Sequence, residues 1–110
     1  MNAKELRLGN LVVYNGSVFK VTGISGNKIT ADRGKGNVEF DPGDLQPLKI
    51  TEFWLEKFKI DYSFPGVKWI MEEMPIPTGI NYVHQFQNIY FFLTFTELQL
   101  KESEIIKFSG

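Results

Sequence analysis

Between Leu6 and Leu48, short runs rich in Val, Ile, Phe and Tyr alternate with Gly, Asn, Asp and Pro. Side chains of the first group fit a pleated, half-buried surface, so each run reads as a strand. Asn15-Gly16 separates Leu11-Val12-Val13-Tyr14 from Ser17-Val18-Phe19-Lys20-Val21. A type I′ turn needs positive φ at both central positions, and Asn-Gly supplies it, so a tight hairpin is expected there. Ser25-Gly26-Asn27 then turns the chain onto Lys28-Ile29-Thr30-Ala31, and Arg33-Gly34-Lys35-Gly36 turns it onto Asn37-Val38-Glu39-Phe40. Period-two alternation places Phe19 with Val21, Ile29 with Ala31, and Val38 with Phe40 on an inner face, while Lys28, Thr30 and Glu39 point out. Asp41-Pro42-Gly43-Asp44 ends the fourth run, and Asp44-Leu45-Gln46-Pro47-Leu48 makes a fifth. Five short strands in so little chain fit a small SH3-like β-barrel over residues 1–49.

The pattern changes after that. Thr51 is placed to cap a helix through residues 52–59, with acid near its start, base near its end, and Trp54, Leu55 and Phe58 on its inner side. Asp61 to Gly66 reads as irregular, and Val67-Lys68-Trp69-Ile70-Met71 reads as a strand ended by Pro75 and Pro77. From Tyr82 to Leu93 a helical period gathers Val83, Phe86, Ile89, Tyr90 and Leu93 on one stripe. Period two would instead mix His84 and Asn88 with the aromatic residues, so a second helix is expected. Phe91 and Phe92 fall off the stripe, which calls for a second buried surface or a partner. Glu97-Leu98-Gln99-Leu100-Lys101 alternates as a final strand. The expected class is α+β, mostly β, with the barrel followed by a small α+β half, residues 50–110, packed on it. Trp54 and Trp69 are assigned to the packing between the two halves.

Composition narrows the functional classes. Twelve Lys and Arg stand against 13 Asp and Glu among 110 residues, so no polycationic character marks a nucleic-acid or membrane protein. No apolar run approaches a bilayer span, and the first residues lack a signal-peptide core, which points to a cytoplasmic protein. Without cysteine and with His84 as the single histidine, multi-histidine and thiolate metal sites are excluded. Glu72 and Glu73, as strand neighbours, point to opposite faces and share no proton or metal. Gly23, Gly26, Gly34 and Gly36 serve turns and lack the following helix of a phosphate-binding loop. No catalytic residue or cofactor is therefore expected. Arg7, Lys20, Lys28, Arg33 and Lys35, with Tyr14 as a stacking platform, form a candidate basic rim for nucleic acid, diluted by Asp32, Glu39, Asp41 and Asp44.

Three stretches carry a resemblance: residues 6–16 with Val21-Thr22-Gly23-Ile24, residues 48–55, and Asn81-Tyr82-Val83-His84-Gln85-Phe86-Gln87-Asn88-Ile89-Tyr90-Phe91. Together the chain resembles a family of short uncharacterised proteins of phages, prophages and mobile elements of gut bacteria. The Tyr-Val-His-Gln-x-Gln-Asn-x-Tyr-Phe segment is the most specific mark. Where that family usually has glycine after the last helix, this chain has Phe95. The resemblance implies context and architecture and supplies no catalytic residues. It singles out His84, Gln85, Gln87 and Asn88, which lie outside the apolar stripe, as a candidate interaction cluster. The function expected from the sequence is a non-enzymatic module that binds another protein; the alternative is a nucleic-acid-binding accessory protein that uses the basic rim.

Overall fold

Asn15 and Gly16 take φ values of 50° and 81° and close a hairpin between β1 (Leu11–Tyr14) and β2 (Ser17–Ser25). The computed structural model describes residue 1, residues 3–71 and residues 79–101. β2 bends at a bulge where its register to β3 (Lys28–Asp32) shifts between Val21 and Gly23. β3 pairs in turn with β4 (Asn37–Phe40), and a short β5 (Gln46–Pro47) returns to β1 after a 3-10 turn at Pro42–Asp44. The result is one antiparallel sheet in the order β4-β3-β2-β1-β5. It is open, with β4 and β5 as its edges, so the closed barrel expected from strand count is not what forms.

The inner face follows the alternation. Leu6, Val12, Phe19, Val21, Ile29, Ala31, Phe40 and Leu45 form a buried cluster. Burying each larger aliphatic or aromatic side chain contributes about 1.5–3 kcal/mol. Val38 departs from the expectation: it is 47% exposed, because β4 is an edge strand with no neighbour to cover it.

The second half has its own core. Thr51 accepts a hydrogen bond from the Trp54 N–H at 3.3 Å and caps α1 (Glu52–Lys57). The helix stops two residues short of the expected end, since Phe58 turns extended and forms β6 (Phe58–Lys59), paired with β7 (Gln99–Leu100). The segment expected as a strand at residues 67–71 is instead α2 (Pro65–Met71). Proline is pre-organised for a first helical position. Val67 and Ile70, three apart, then share the face that packs on the core, and Trp69 is left 75% exposed, not in the inter-half packing assigned to it. Gly66 lets α2 approach α3 (Val83–Thr94) closely: a Cβ there would lie 2.9 Å from Leu93 Cδ2. The expected helix over residues 82–93 is present. Ile89, placed on its buried stripe, is 37% exposed. The expectations for Glu72, Glu73, Pro75 and Pro77 lie outside the described residues.

Both halves meet along α3. Leu11 of β1 belongs to the second core, with Ile50, Leu55, Phe58, Val83, Phe86 and Tyr90. The Val83 N–H donates to the Leu48 carbonyl at 2.8 Å and the Ile50 N–H to the Asn81 carbonyl at 3.0 Å, so the linker between halves is itself paired to the start of α3.

Candidate functional site

Gln87 and Asn88 of α3 turn their amides to the first half. Gln87 is 3% exposed, and its Oε1 accepts the Leu11 N–H at 2.9 Å while its Nε2 donates to the Gly9 carbonyl at 2.9 Å. Asn10, fully buried, donates to Asn88 Oδ1 at 2.9 Å and accepts the Arg7 N–H at 2.8 Å; Asn88 donates to the Glu5 carbonyl at 3.0 Å. Buried backbone groups at the entry to β1 need partners, and these amides supply them. Gln85 accepts the N–H groups of Asn81 and Tyr82 at 3.0 and 3.1 Å and so secures the helix start. His84 is 2% exposed, stacks on Tyr82, and has a buried Nδ1 without a hydrogen-bond partner among the described residues. Burial holds its pKa below the ordinary histidine value, with the nearby Glu5 carboxylate opposing, so the ring is neutral at pH 7. The four residues singled out from the sequence therefore sit together, but as parts of the seam and the helix start. Of these four, placed outside the apolar stripe by the helical period, His84 and Gln87 are nonetheless buried.

The proposed basic rim divides. Arg7 belongs to the seam, ion-paired with Glu97 and with its guanidinium carbon 3.8 Å from the Phe91 ring centroid. Lys20 lines a small cavity of about 180 Å³ between the halves, with Leu11, Phe58 and Leu98. Tyr14, Lys28, Arg33 and Lys35 do come together, along a groove of about 550 Å³ on the first half.

That groove runs along the β3/β4 hairpin and against the β1/β2 turn. Its apolar floor is an aromatic cluster: the Tyr14 ring lies 4.7 Å from Phe40 and 6.3 Å from Phe19, and Phe19 lies 5.2 Å from Phe40. Phe19 and Phe40 are buried and fix the position of Tyr14, which remains 40% exposed beside Val38. Such a floor costs little conformational entropy when a ligand docks, because rings have few rotors and these are already packed. Arg33 donates to Ser17 Oγ at 3.2 Å and is held over the Phe19 side of the floor. Asp32 Oδ1 accepts the N–H groups of Gly34, Lys35 and Gly36 at 2.7, 3.1 and 3.1 Å, which fixes the loop carrying Arg33 and Lys35. At the other end Lys28 pairs with Asp41, and this ion pair, with Glu39 and Asp44 near, raises the lysine pKa. The groove's volume falls in the range of binding clefts.

No family model, curated protein or solved structure matches this chain. The reading of the site therefore rests on its geometry. Among the described residues no group of three or more His, Asp or Glu is placed to hold a metal ion, and no helix is long and apolar enough to cross a membrane. The edge position of β4 is what sequence reasoning missed: the alternation assigned Val38 to a core, whereas its exposure is what widens the aromatic floor.

Proposed function

We propose that this protein is a non-enzymatic interaction module whose groove along the β3/β4 hairpin receives an extended segment of another protein. One observation carries the reading: Tyr14 and Val38 are exposed on a floor whose other members, Phe19 and Phe40, are buried and packed on each other. Folding alone does not require an open aromatic face next to an unpaired edge strand. Extended segments use such features, since an edge strand offers main-chain hydrogen bonds and an aromatic groove takes apolar or proline side chains. The strand order β4-β3-β2-β1-β5 and the bulge in β2 support reading the first half as an SH3-like barrel that is incompletely closed. An origin in a phage or mobile element rests on the resemblance carried by residues 6–16, 21–24, 48–55 and 81–91.

Nucleic acid is the weaker reading. Tyr14, Lys28, Arg33 and Lys35 line the groove, but Glu39, Asp41 and Asp44 line it too and cancel the positive field that phosphates require. Display selection of random peptides on the folded protein, with Tyr14→Ala as counter-target, tests the proposal. Enrichment of peptides that lose at least about tenfold in affinity on Tyr14→Ala is the expected result. Enrichment insensitive to Tyr14, or tight binding of a single-stranded oligonucleotide with steep salt dependence, would overturn it.

A further inference from the structure

The groove is electrically polar along its length. The loop after β3 puts Arg33 and Lys35 at one end, and neither is in an ion pair with a described residue. Toward the opposite end of β3, Lys28 is already paired with Asp41, with the carboxylates of Asp44 and of Glu39, which sits across from Thr30, near it. The aromatic floor lies between. From Lys28 to Arg33 is five rises of an extended strand, so the two ends are separated by about 16 Å.

We infer that the segment received by this groove is zwitterionic and extended: an acidic residue at the Arg33/Lys35 end, a basic residue at the Glu39/Asp44 end, and an apolar or proline-containing centre on Tyr14 and Val38. This rests on the reading of the groove as a protein-binding site and adds the chemistry of the partner. A uniformly acidic segment would satisfy Arg33 and Lys35 but set its other end against Glu39 and Asp44; a uniformly basic one meets the reverse conflict. Like charges brought together in a partly desolvated groove are repelled, so the pattern excludes partners as well as admitting them. Arg33 is suited to this task because its hydrogen bond to Ser17 and the Asp32-bound loop hold the guanidinium in place before a carboxylate arrives.

The test uses three pools of capped peptides, about six residues long so that their end residues match the spacing of the groove's two ends. All share a randomised apolar and proline centre and differ only at the ends: Asp and Lys, Asp at both, or Lys at both. Binding to the intact protein is read by fluorescence polarisation at low and high salt. The Asp/Lys pool should bind at least about fivefold more tightly than either uniform pool at low salt, with the difference shrinking as salt screens it. In the double variant Arg33→Glu, Lys35→Glu, whose fold is checked by circular dichroism, the preference should pass to the Lys pool. Equal, Tyr14-dependent binding of all three pools would overturn the charge pattern while leaving the groove reading intact. Failure of every pool, or binding unchanged by Tyr14→Ala, would remove both. Self-association of the protein that Arg33→Glu, Lys35→Glu abolishes would assign the groove to a second copy and also overturn the inference.

Discussion

At the scale of single residues, two positions combine unusual conformations or environments with clear consequences. Phe95 ends α3 in the left-handed region, φ 56°, with its N–H on the Phe91 carbonyl, and its side chain is 81% exposed. The left-handed conformation costs a residue with a Cβ roughly 1–2 kcal/mol, which glycine avoids, although glycine also loses more entropy on folding. Phe95→Gly should therefore stabilise the protein by about 0.5–1 kcal/mol, seen as a higher urea midpoint with unchanged slope. A loss of stability would mean that the edge contact with Phe91 outweighs the strain. His84 supplies the pH dependence. Its folded-state pKa lies below the unfolded value, so the unfolded chain takes up a proton first as pH falls. Its contribution to stability is full above the unfolded value of about 6.5 and declines as pH falls from there toward the folded pKa. Urea denaturation at pH 7.5 and 5.5 should show this loss, and His84→Phe should show less of it. As His84 is the chain's single histidine, its NMR titration reads the folded pKa directly.

At the scale of elements, α3 decides how the halves meet. Its apolar side, Val83, Phe86 and Tyr90, enters the second core, and its amide side grips Gly9, Asn10 and Leu11. Gln87→Leu keeps the volume but strands the Leu11 N–H and the Gly9 carbonyl, and leaving buried backbone groups unpaired costs about 1–3 kcal/mol each. Chemical denaturation should show a destabilisation of about 2–4 kcal/mol, with Leu11 and Gly9 resonances moving most in the folded state. An effect under about 0.5 kcal/mol would mean that water replaces the amide at no cost. Much of this half was legible in sequence. Thr51 as a cap and the helical period of Val83, Phe86 and Tyr90 are local signals, and both elements formed. α2 was hidden because five residues, Val67 to Met71, satisfy period two and period 3.6 alike; the spacing of Val67 and Ile70 and the preceding Pro65 carried the better signal. The burial of Gln87 had no local signature at all. A polar residue off the apolar stripe reads as solvated unless the backbone it will satisfy is known, and that backbone lies 76 residues away.

At the scale of the whole molecule, the first half shows the same limit in another form. Strand number, turns and alternation were all readable, from Asn15-Gly16 to the inward Ile29 and Ala31, because they are set by neighbours in sequence. Which strands end as edges is a property of the assembled sheet, so the exposure of Val38 and the open groove were not readable. Four of the six candidate rim residues were brought together there, while Arg7 and Lys20 went to the seam. Among the described residues, the charged, aromatic-floored groove lies on the first half, and Trp69, Phe92 and Phe95 are exposed apolar side chains on the second.

Chemical-shift mapping on the isotopically labelled protein, titrated with a peptide selected for binding, separates these surfaces most directly. The predicted result is saturable shifts at Tyr14, Arg33, Val38 and Phe40 that vanish in Tyr14→Ala, with the resonances of α3 unmoved. Shifts centred on Trp69, Phe92 and Phe95, with the hairpin silent, would contradict the assignment of the groove as the site of interaction.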